Sequence, residues 1–429
     1  MHIPIICVTG TKGKTTTVAI IHDILRALGK NTLKVDTTGH FINGQRRSTL
    51  DDSKETWRLV PSVCPGRYLW EFHADPNLRN NGVAILESSL GSSSLSGMGY
   101  SYHDVGVFLN VFEDHLGSSE RIKSRADIAE AKEFIFKRLT KNNGYAVFNA
   151  DDKLVCEQLK KLPGDIKCDH ILIPCGIDFS HFDLKQHLDT GGVVITMNEK
   201  NEIIMRSSQQ NIIIANLKNI PWAFDGRYLP SVWNIMLATA AVYGHLNGKL
   251  PENIREIVES VRLDPYGGRM TLLENAKGVK IIADYAHEKK SLATVAALAK
   301  SLIDINGSVI GVVRLAYDRT DELLHETGRV IGEAYDSVVV YDKIDGFFRK
   351  AKEKPQSARF QQVEGRTSQV VYDGVKQTNE NVRRIVREDQ AIKYAAEIAK
   401  AGDIVVIIVN DNIPQSIELI KKYFKADFI

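Results

Sequence analysis

Short, nearly continuous apolar runs recur along the first half of the chain. Residues 3–8, 82–86 and 105–109 each have the pattern of a strand that is buried on both faces of a parallel sheet. The first run leads into a glycine-rich segment, after which apolar residues recur at helical spacing from Val18 to Leu28. The pattern therefore predicts a strand, a glycine loop and a helix, in that order.

The next part of the chain predicts a helix, a small sheet and a second helical region. Apolar positions fall at helical spacing over residues 126–139 and again over 234–263. Between these regions, at about 168–220, short β-rich runs alternate with turn residues. These runs predict a small, mostly antiparallel accessory β-sheet.

A fresh alternation of strands and helices begins after Gly267 and Gly268. The predicted strands lie at about 279–284, 308–314, 336–341 and 403–409, and the predicted helices near 290–303, 321–334, 388–400 and 413–424. This alternation is typical of a doubly wound, mostly parallel sheet. We therefore predict an α/β protein with two domains, 1–265 and 266–429. The polar, aperiodic stretch 343–381 is predicted to be a loop or a surface helix.

Composition restricts the class of protein without identifying a function. A length of 429 residues suggests two or three domains, and 43% hydrophobic with 25% charged residues is typical of a globular chain. The formal net charge of +2 indicates neither nucleic acid nor a membrane surface as a partner. The five cysteines form no CxxC pair, and no apolar run approaches a membrane span of about 20 residues. We expect a cytoplasmic protein.

The glycine-rich segment carries the strongest chemical signal. It comprises Gly10, Thr11, Lys12, Gly13, Lys14, Thr15 and Thr16. Glycines allow backbone N–H groups to surround phosphate oxygens, and the following helix adds its N-terminal dipole. Lys14 would supply charge for the β- and γ-phosphates, and Thr15 a hydroxyl for Mg²⁺. Val8 stands where the general phosphate-binding loop has its first glycine, so a turn without a ligand is the alternative.

The loop sequence GTKGKTT resembles the ATP loop of the Mur ligase superfamily, usually written GTNGKTT. Further superfamily motifs follow in order over residues 4 to 320. They are Asn110 to His115 (NVFEDH), Ala131-Lys132, Asn149 to Asp152 (NADD), Gly268-Arg269, Asp284 to His287 (DYAH), and Asp318-Arg319 with Tyr317 in place of a glycine. The resemblance implies a P-loop Mur-ligase-type central ATPase domain followed by a Rossmann-like C-terminal α/β domain.

Members of this superfamily are ADP-forming amide ligases. They transfer the γ-phosphoryl group of ATP to a carboxylate, and an amine then attacks the acyl phosphate. The resemblance implies ATP and Mg²⁺ as cofactors, because Mg²⁺ neutralises the crowded oxyanions of phosphoryl transfer. The implied partners are ATP, an amino acid and a carboxylate-bearing peptide or polymer acceptor.

The resemblance also assigns roles to individual residues. The catalytic residues would be Lys14, Glu87, His115 and Lys132. Thr15 and Glu87 would hold one Mg²⁺, whereas His115 and a carbamylated Lys132 would serve a second. Nucleotide contacts outside the loop would come from Asn110, Asn234, Arg269, Asp284 and His287. Each has a simpler interpretation when taken alone: Glu87 can merely end a strand, and Lys132 can lie on an exposed helix face.

A narrower resemblance is to the C-terminal, Mur-like half of cyanophycin synthetases. The segments DVGVFLNVFEDHLG, NNGYAVFNADD, WNIMLATAA and GDIVVIIV carry it. Because Met1 lies nine residues before Gly10, we expect no nucleotide-sugar-binding domain ahead of the loop. We also expect no ATP-grasp half of the kind that cyanophycin synthetases have, so the resemblance leaves two assemblies open: a homo-oligomer, or a complex with a separate ATP-grasp protein.

Three departures from the family pattern bear on substrates. Pro230 and Ser231 replace the His and Asn of an adenine-side HNxxN segment, of which only Asn234 remains. Leucines at 90 and 95 replace two arginines of cyanophycin synthetases, and DYAH is followed by Glu288-Lys289 instead of Asn-Pro. We therefore predict ATP-dependent amide formation without assigning its substrates. Arginine joined to an aspartate side chain is the first pair to test.

Other functions remain open. Folylpolyglutamate synthases read GKGS where this chain has GKTT, and a peptidoglycan ligase is disfavoured by the expected lack of a sugar-binding domain. From another class, the chain could be a non-catalytic or regulatory nucleotide-binding subunit that partners a separate ATP-grasp ligase. A Lys132→Ala substitution separates these interpretations, because a binding subunit needs no second metal site.

Overall fold

The computed structural model describes residues 3–47, 61–90, 92, 97–113, 121–141, 143–162, 168–173, 184–208, 210–303, 306–317, 319–342, 363–410 and 412–429. The chain divides into two compact units, Met1–Arg262 and Leu263–Ile429. This division falls slightly ahead of the boundary at 265 and 266 that the glycine-containing turn predicts. Among the described residues, no helix has the length and hydropathy that a membrane span requires.

The first unit is built on one large sheet. Its strands in the described residues are β1 (Ile5–Thr9), β2 (Asn31–Asp36), β3 (Gly39–Ile42), β4 (Gln45–Arg46), β5 (Gly82–Glu87), β6 (Val105–Phe108), β7 (Gly144–Asn149), β8 (Cys168–Ile173), β9 (Val193–Met197), β10 (Glu202–Arg206) and β11 (Asn211–Asn216). Their spatial order is β11-β10-β9-β8-β7-β6-β1-β5-β2-β3-β4. The strands from β2 to β9 in that order pair in parallel. The apolar runs that predicted buried strands form its centre, where β1, β5 and β6 are fully buried.

The strands predicted as an accessory sheet continue this central sheet. β8 pairs in parallel with β7 along six residue pairs, and β9 joins β8 in parallel. Only β10 and β11 add in the antiparallel direction that the sequence predicts for the group. Turn residues between runs indicate hairpins, but they do not indicate which outside strand the first run joins.

Helices cover the sheet of the first unit. They are α1 (Lys14–Ala27), α2 (Leu69–Ala74), α3 (Pro76–Arg79), α4 (Arg125–Ala131), α5 (Phe134–Lys137), α6 (Lys153–Lys160), α7 (Leu184–Asp189), α8 (Leu229–His245) and α9 (Ile254–Ser260). α8 is apolar on almost every side and is largely buried. Its first turn contains Pro230, a residue favoured there because no intrahelical N–H bond is lost.

The predicted single helix at 126–139 is wrong in one respect, since it is two short helices. α4 begins with a capping box between Ser124 and Asp127 and ends at Ala131. Lys132 takes a non-helical conformation at the junction, and α5 follows. Buried apolar residues continue at helical spacing on both sides of the junction, so the sequence pattern hides the break.

The second unit contains a second parallel-rich sheet, as predicted. Its described strands are β12 (Thr271–Asn275), β13 (Lys280–Asp284), β14 (Val309–Val313), β15 (Ser337–Val340), β16 (Val382–Arg384), β17 (Ile404–Ile408) and β18 (Ala426–Phe428), in the order β16-β15-β14-β17-β13-β12-β18. The helices are α10 (Lys289–Leu302), α11 (Asp321–Ala334), α12 (Arg366–Lys376), α13 (Glu388–Ile398) and α14 (Ile413–Phe424). β12 and β18 are antiparallel additions at one edge.

The stretch 343–381, predicted as a loop or surface helix, is described only from residue 363 onward. It contains α12, whose buried residues are Thr367, Ser368, Val371, Gly374 and Val375. Three of these five are small or polar residues. A helix with such a packing face leaves little apolar periodicity in the sequence.

Candidate functional site

The carboxyl ends of β1 and β5 lie side by side at one edge of the first sheet. The two strands run in parallel, and Val8 pairs with Glu87. The glycine loop follows β1 directly, and Asn110 follows β6 on the other side of β1. This is the edge at which α/β sheets bind ligands, so the sheet brings together residues that lie about 100 positions apart in the sequence.

The loop presents the open N-terminus of α1. Gly13 is the N-cap residue, with a left-handed φ of 87° and no side-chain cap. The first helical bond runs from the Thr17 N–H to the Gly13 carbonyl at 2.8 Å. The N–H groups of Lys14, Thr15 and the buried Thr16 precede that bond and have no intrahelical acceptor. Such a helix start favours an anion.

The side chain of Asn110 holds the backbone of the glycine loop. Its Oδ1 accepts the N–H groups of Thr11 and Lys12 at 3.2 and 2.9 Å, and its Nδ2 donates to the Lys12 carbonyl at 3.1 Å. Gly10 also lies close to Leu109, the residue that follows β6. A Cβ at position 10 would lie only 2.7 Å from Leu109 Cβ. Asn110 was predicted as a nucleotide contact, and the structure places it as the support of the loop backbone.

Lys14 folds back over the loop from the first position of α1. Its Nζ donates to the carbonyl oxygens of Gly10 and Thr11 at 3.1 and 3.0 Å. The ammonium group therefore lies beside the N–H groups of the helix start. The combination places a positive charge and several donors at one point.

Glu87 ends β5 with its carboxylate held by three hydrogen bonds. Thr15 Oγ1 donates to Oε2 at 2.9 Å. Thr37, at the turn between β2 and β3, donates its N–H to Oε2 at 3.2 Å and its hydroxyl to Oε1 at 2.8 Å. Glu87 is only 2% exposed, so the simpler interpretation of a strand-end carboxylate in water does not apply.

Hard oxygen donors are what this corner offers to a cation. Mg²⁺ in nucleotide sites takes one or two protein oxygens and fills its remaining positions with phosphate oxygens and water. The Thr15 hydroxyl and the Glu87 carboxylate fit that donor set. The described residues contain no group of three or more His, Cys, Asp and Glu side chains that could hold a metal without a substrate.

Lys132 lies in the same corner and is buried. It is 3% exposed, and its Nζ donates to Thr9 Oγ1 at 3.3 Å. Thr9 is the last residue of β1 and donates in turn to the Ser88 carbonyl at 3.0 Å. The interpretation of Lys132 as an exposed helical lysine is therefore wrong. His115, its predicted metal-binding companion, lies outside the described residues, as does Asp318.

Asn234 reaches the loop from α8. Its Oδ1 accepts the hydroxyl of Thr17 at 3.3 Å, and it faces Gly13. The sequence predicts a contact with the adenine end of a nucleotide, and in the structure this side chain lies against the Gly13 end of the glycine loop. Its contact with a nucleotide stays a prediction. Pro230 and Ser231, which replace the family's His and Asn, lie one turn earlier at the start of α8.

Arg269, Asp284 and His287 lie in the second unit. Asp284 Oδ2 accepts the Met270 N–H at 3.0 Å, and the Arg269 guanidinium lies 4.8 Å from the Tyr285 ring. His287 Nδ1 lies 2.9 Å from the Tyr285 carbonyl oxygen. The three residues thus gather at the carboxyl end of β13. Their contact with a nucleotide stays a prediction.

Three residues of this corner were not predicted from the sequence: Thr9, Asp36 and Thr37. The run Asp36-Thr37-Thr38-Gly39 is a turn signal by its residue types. The strand before it, β2, is only partly apolar and does not have the continuous run that revealed β1 and β5. The site therefore contains a hairpin that periodicity alone did not predict.

The buried thiol of Cys7, near the glycine loop, is unreactive. Burial raises the pKa of Cys7, in the middle of β1, to about 12. The same cause raises the pKa of the Tyr100 hydroxyl beside it. Cys7 therefore stays protonated, and it is excluded as a nucleophile for this site.

Comparison with known proteins identifies the class that this fold and site define. The model of the Mur ligase middle domain matches residues 8–241, and the model of the Mur ligase glutamate ligase domain matches residues 268–408. The chain belongs to the Mur ligase family. The resemblance found in the sequence motifs is confirmed.

Individual relatives agree with this assignment. The chain is 28% identical to a cyanophycin synthetase of Geminocystis herdmanii over 433 residues, covering 98% of this chain and 44% of the relative. It is 26% identical to the UDP-N-acetylmuramoyl-L-alanyl-D-glutamate–2,6-diaminopimelate ligase of Clostridioides difficile over 409 residues, covering 94% of this chain and 72% of the relative. The chain therefore spans less than half the length of the cyanophycin synthetase that it matches.

A solved structure shares the fold. The bifunctional folylpolyglutamate synthase/dihydrofolate synthase of Yersinia pestis superposes with a TM-score of 0.58 at 16% identity, covering 97% of this chain and 88% of that one. The predicted fold class, a P-loop Mur-ligase-type ATPase domain with a Rossmann-like C-terminal domain, is confirmed.

Proposed function

We propose that this chain is an ATP-dependent, ADP-forming amide ligase. It would activate a carboxylate as an acyl phosphate and join it to the amine of an amino acid. The observation that carries the proposal is the 2.9 Å hydrogen bond from Thr15 Oγ1 to Glu87 Oε2 beside the open start of α1. A simple phosphate-binding turn needs no buried carboxylate directed at it, whereas phosphoryl transfer to a carboxylate needs metal ligands there.

The nucleotide proposal rests on the loop. The N–H groups at the start of α1, which have no intrahelical acceptor, and the Lys14 ammonium would bind the phosphates. Asn110 holds Thr11 and Lys12 in place before a ligand arrives, and preorganised donors of this kind stabilise developing charge without further rearrangement. The Yersinia pestis relative, whose structure is a complex with AMPPNP and a Mn ion, supports the choice of an adenine nucleotide and a divalent cation.

Mg²⁺ is the proposed cation, and Thr15 and Glu87 are its proposed ligands. When bound there, Mg²⁺ would neutralise charge on the phosphate oxygens. Glu87 enters this role already oriented, because Thr37 holds both of its carboxylate oxygens. The remaining nucleotide roles that we propose, for Asn234, Arg269, Asp284 and His287, follow from the family assignment.

Carbamylated Lys132 and His115 are proposed to serve a second Mg²⁺. In carbamylation the ammonium group first loses one proton, and the neutral amine then adds to CO₂ through a new N–C bond and releases a second proton. The cationic side chain thereby becomes an anionic one. An oxygen anion suits Mg²⁺, whereas an ammonium group repels it. The burial of Lys132 beside Thr9, the residue immediately before the loop, supports this role.

The substrates proposed are an amino acid and a carboxylate-bearing peptide or polymer. The similarity to cyanophycin synthetase over 98% of this chain supports that choice. Leu90 replaces an arginine of those relatives. We therefore propose an acceptor that binds without a positively charged side chain at position 90. We propose that the chain acts in the cytoplasm, where ATP is available, as a homo-oligomer or with a separate ATP-grasp protein.

The experiment that tests the proposal measures ADP release from ATP with Mg²⁺ and bicarbonate. Single amino acids are crossed with aspartate-rich and β-aspartyl-arginine acceptors, and hydroxylamine in a parallel series traps any acyl phosphate as a hydroxamate. We expect release that needs one acceptor and one amine and disappears in Lys132→Ala. Tight ATP binding with no release and no hydroxamate for any pair would contradict the ligase and favour a nucleotide-binding subunit.

A further inference from the structure

The turn between β2 and β3 is built around a buried carboxylate. Asp36, the last residue of β2, has no exposed surface. Its Oδ1 accepts the N–H of Thr38 at 2.8 Å and the hydroxyl of Thr38 at 2.5 Å. Its Oδ2 lies 2.9 Å from Lys34 Nζ, as an ion pair rather than a directed hydrogen bond. Burying a carboxylate is costly unless it is paired and bonded, and both conditions are met here by residues of the hairpin itself.

This turn carries Thr37 toward Glu87. Because Asp36 fixes Thr38 from one side, Thr37 between them presents both its N–H and its hydroxyl to the Glu87 carboxylate. The Thr37 hydroxyl also lies 3.4 Å from Ser62 Oγ. The Ser62 carbonyl in turn accepts the Ser89 N–H at 3.1 Å, just beyond the end of β5. The hairpin is thus bonded to Glu87 and, through Ser62, to the segment that follows it.

We infer that Asp36 is a positioning residue, which acts through Thr38 and Thr37 to hold the Glu87 carboxylate toward Thr15. The inference rests on the proposed function, in which Glu87 and Thr15 hold the Mg²⁺ of the bound nucleotide. Residues that orient a metal ligand typically change metal affinity about 10–100-fold when they are removed. Asp36 contributes to the orientation of Glu87 by fixing the conformation of the turn. A residue that only stabilises the sheet would have no such effect on metal affinity.

The test is the Mg²⁺ dependence of ADP binding, measured by calorimetry with Mg²⁺ and again with EDTA. Asp36→Ala is expected to raise the Kd of ADP in Mg²⁺ about tenfold or more. The Kd in EDTA is expected to stay close to that of the unsubstituted chain, because the α1 N–H groups and Lys14 do not depend on Glu87. A general loss of structure would weaken both measurements together.

A matched control is Asp104→Ala. Asp104 Oδ2 accepts the Ile5 N–H at 2.8 Å, so it is also an aspartate that fixes backbone next to the sheet, but at the opposite end of β1. Its substitution should leave the ratio of the two Kd values unchanged. Thr38→Val, which removes only the hydroxyl bond to Asp36, serves if Asp36→Ala does not fold, and it should shift the ratio in the same direction.

The outcomes separate the inference from the function on which it rests. If the unsubstituted chain binds ADP without any effect of Mg²⁺, both the proposed metal site and this inference are wrong. If Mg²⁺ strengthens ADP binding equally in the unsubstituted chain, in Asp36→Ala and in Thr38→Val, the proposed function stands and the positioning role of Asp36 is overturned.

Discussion

Gly13 and Asn234 approach each other so closely that a Cβ carbon on residue 13 would lie 2.3 Å from Asn234 Oδ1. Gly13 also has a φ of 87°, which side chains other than glycine rarely adopt. Position 13 is therefore restricted twice, once by backbone conformation and once by the neighbouring helix α8. The conformation of the glycine loop therefore depends partly on Asn234, a residue 221 positions after Gly13 in the sequence.

Gly13→Ala is expected to abolish measurable ADP binding and to destabilise the first unit by about 1–3 kcal/mol, the cost of a strained backbone conformation. The reason is that Asn234 must move or the start of α1 must rotate. Calorimetry with ADP and urea unfolding followed by tryptophan fluorescence measure the two effects, because all four tryptophans precede residue 262.

Gly29→Ala is the matched control for this prediction. Gly29 has a φ of 73°, but a Cβ there would meet no heavy atom within 4 Å. It should therefore lose stability without losing ADP affinity. If Gly13→Ala binds ADP as tightly as Gly29→Ala does, the contact with Asn234 does not shape the loop.

Lys132 is expected to carry a carbamate when bicarbonate and Mg-nucleotide are present. Incubation with ¹³C-labelled bicarbonate should give a carbamate carbon signal in the NMR spectrum that disappears in Lys132→Ala. Lys137→Ala is the control, because Lys137 is a half-exposed lysine of α5 paired with Glu133 at 2.7 Å. A signal that persists in Lys132→Ala, or that disappears in Lys137→Ala, would place the carbamate elsewhere.

The parts of the site that sequence could predict are those with local signals. The Gly10–Thr16 loop follows a continuous apolar run, and Glu87 ends another, so the strands, the loop and the carboxylate could be located together. The Thr37 contact to Glu87 could not be found in this way. It depends on β2 pairing with β5, and on the packing that brings positions 50 residues apart into register.

The same distinction applies to the fold. Buried parallel strands such as β14 and β17 were predicted because both faces are apolar. The edge strands β16 and β18 have three residues each, with exposed positions, so they carry no periodicity to detect. The pairing of β8 with β7, which continues the central sheet, could not be predicted either. The apolar pattern of one strand does not identify the strand with which it pairs.

Arg314 is expected to be a stability residue of the second unit rather than a ligand contact. It is 1% exposed, and its guanidinium donates twice to the Val409 carbonyl and lies 4.6 Å from the Tyr285 ring. Arg314→Ala should cost about 1.5–3 kcal/mol, the usual value for hydrogen bonds to charged groups. The loss should appear in urea unfolding followed by circular dichroism, with no change in the tryptophan-monitored transition.

The comparison variant is Arg269→Ala. Arg269 is half-buried and lies over the same Tyr285 ring, so it should cost only about 0.5–1 kcal/mol, the value for an exposed cation–π contact. Equal destabilisation by the two substitutions would show that the buried hydrogen bonds of Arg314 contribute little.

The stability of the first unit is expected to fall as pH decreases from about 6.5 toward 4. Burial lowers the pKa of His103 and of His245 to about 4 each. In the unfolded chain these imidazoles take up a proton near pH 6.5, whereas in the folded chain they stay neutral until about pH 4. Between these values the unfolded state binds more protons, so each histidine removes up to about 1.4 kcal/mol of stability per pH unit.

The measurement is the free energy of unfolding in urea at pH 7.5, 6.5, 5.5 and 5.0, followed by tryptophan fluorescence. His103→Gln is expected to lower stability at pH 7.5, because His103 lies with Nε2 2.7 Å from the Ile135 carbonyl oxygen. It should nevertheless make the slope below pH 6.5 shallower, because the titrating group is gone. His73→Gln, at an exposed position of α2, should leave the slope unchanged. An unaltered slope in His103→Gln would mean that proton uptake by other groups governs the acid sensitivity of this unit.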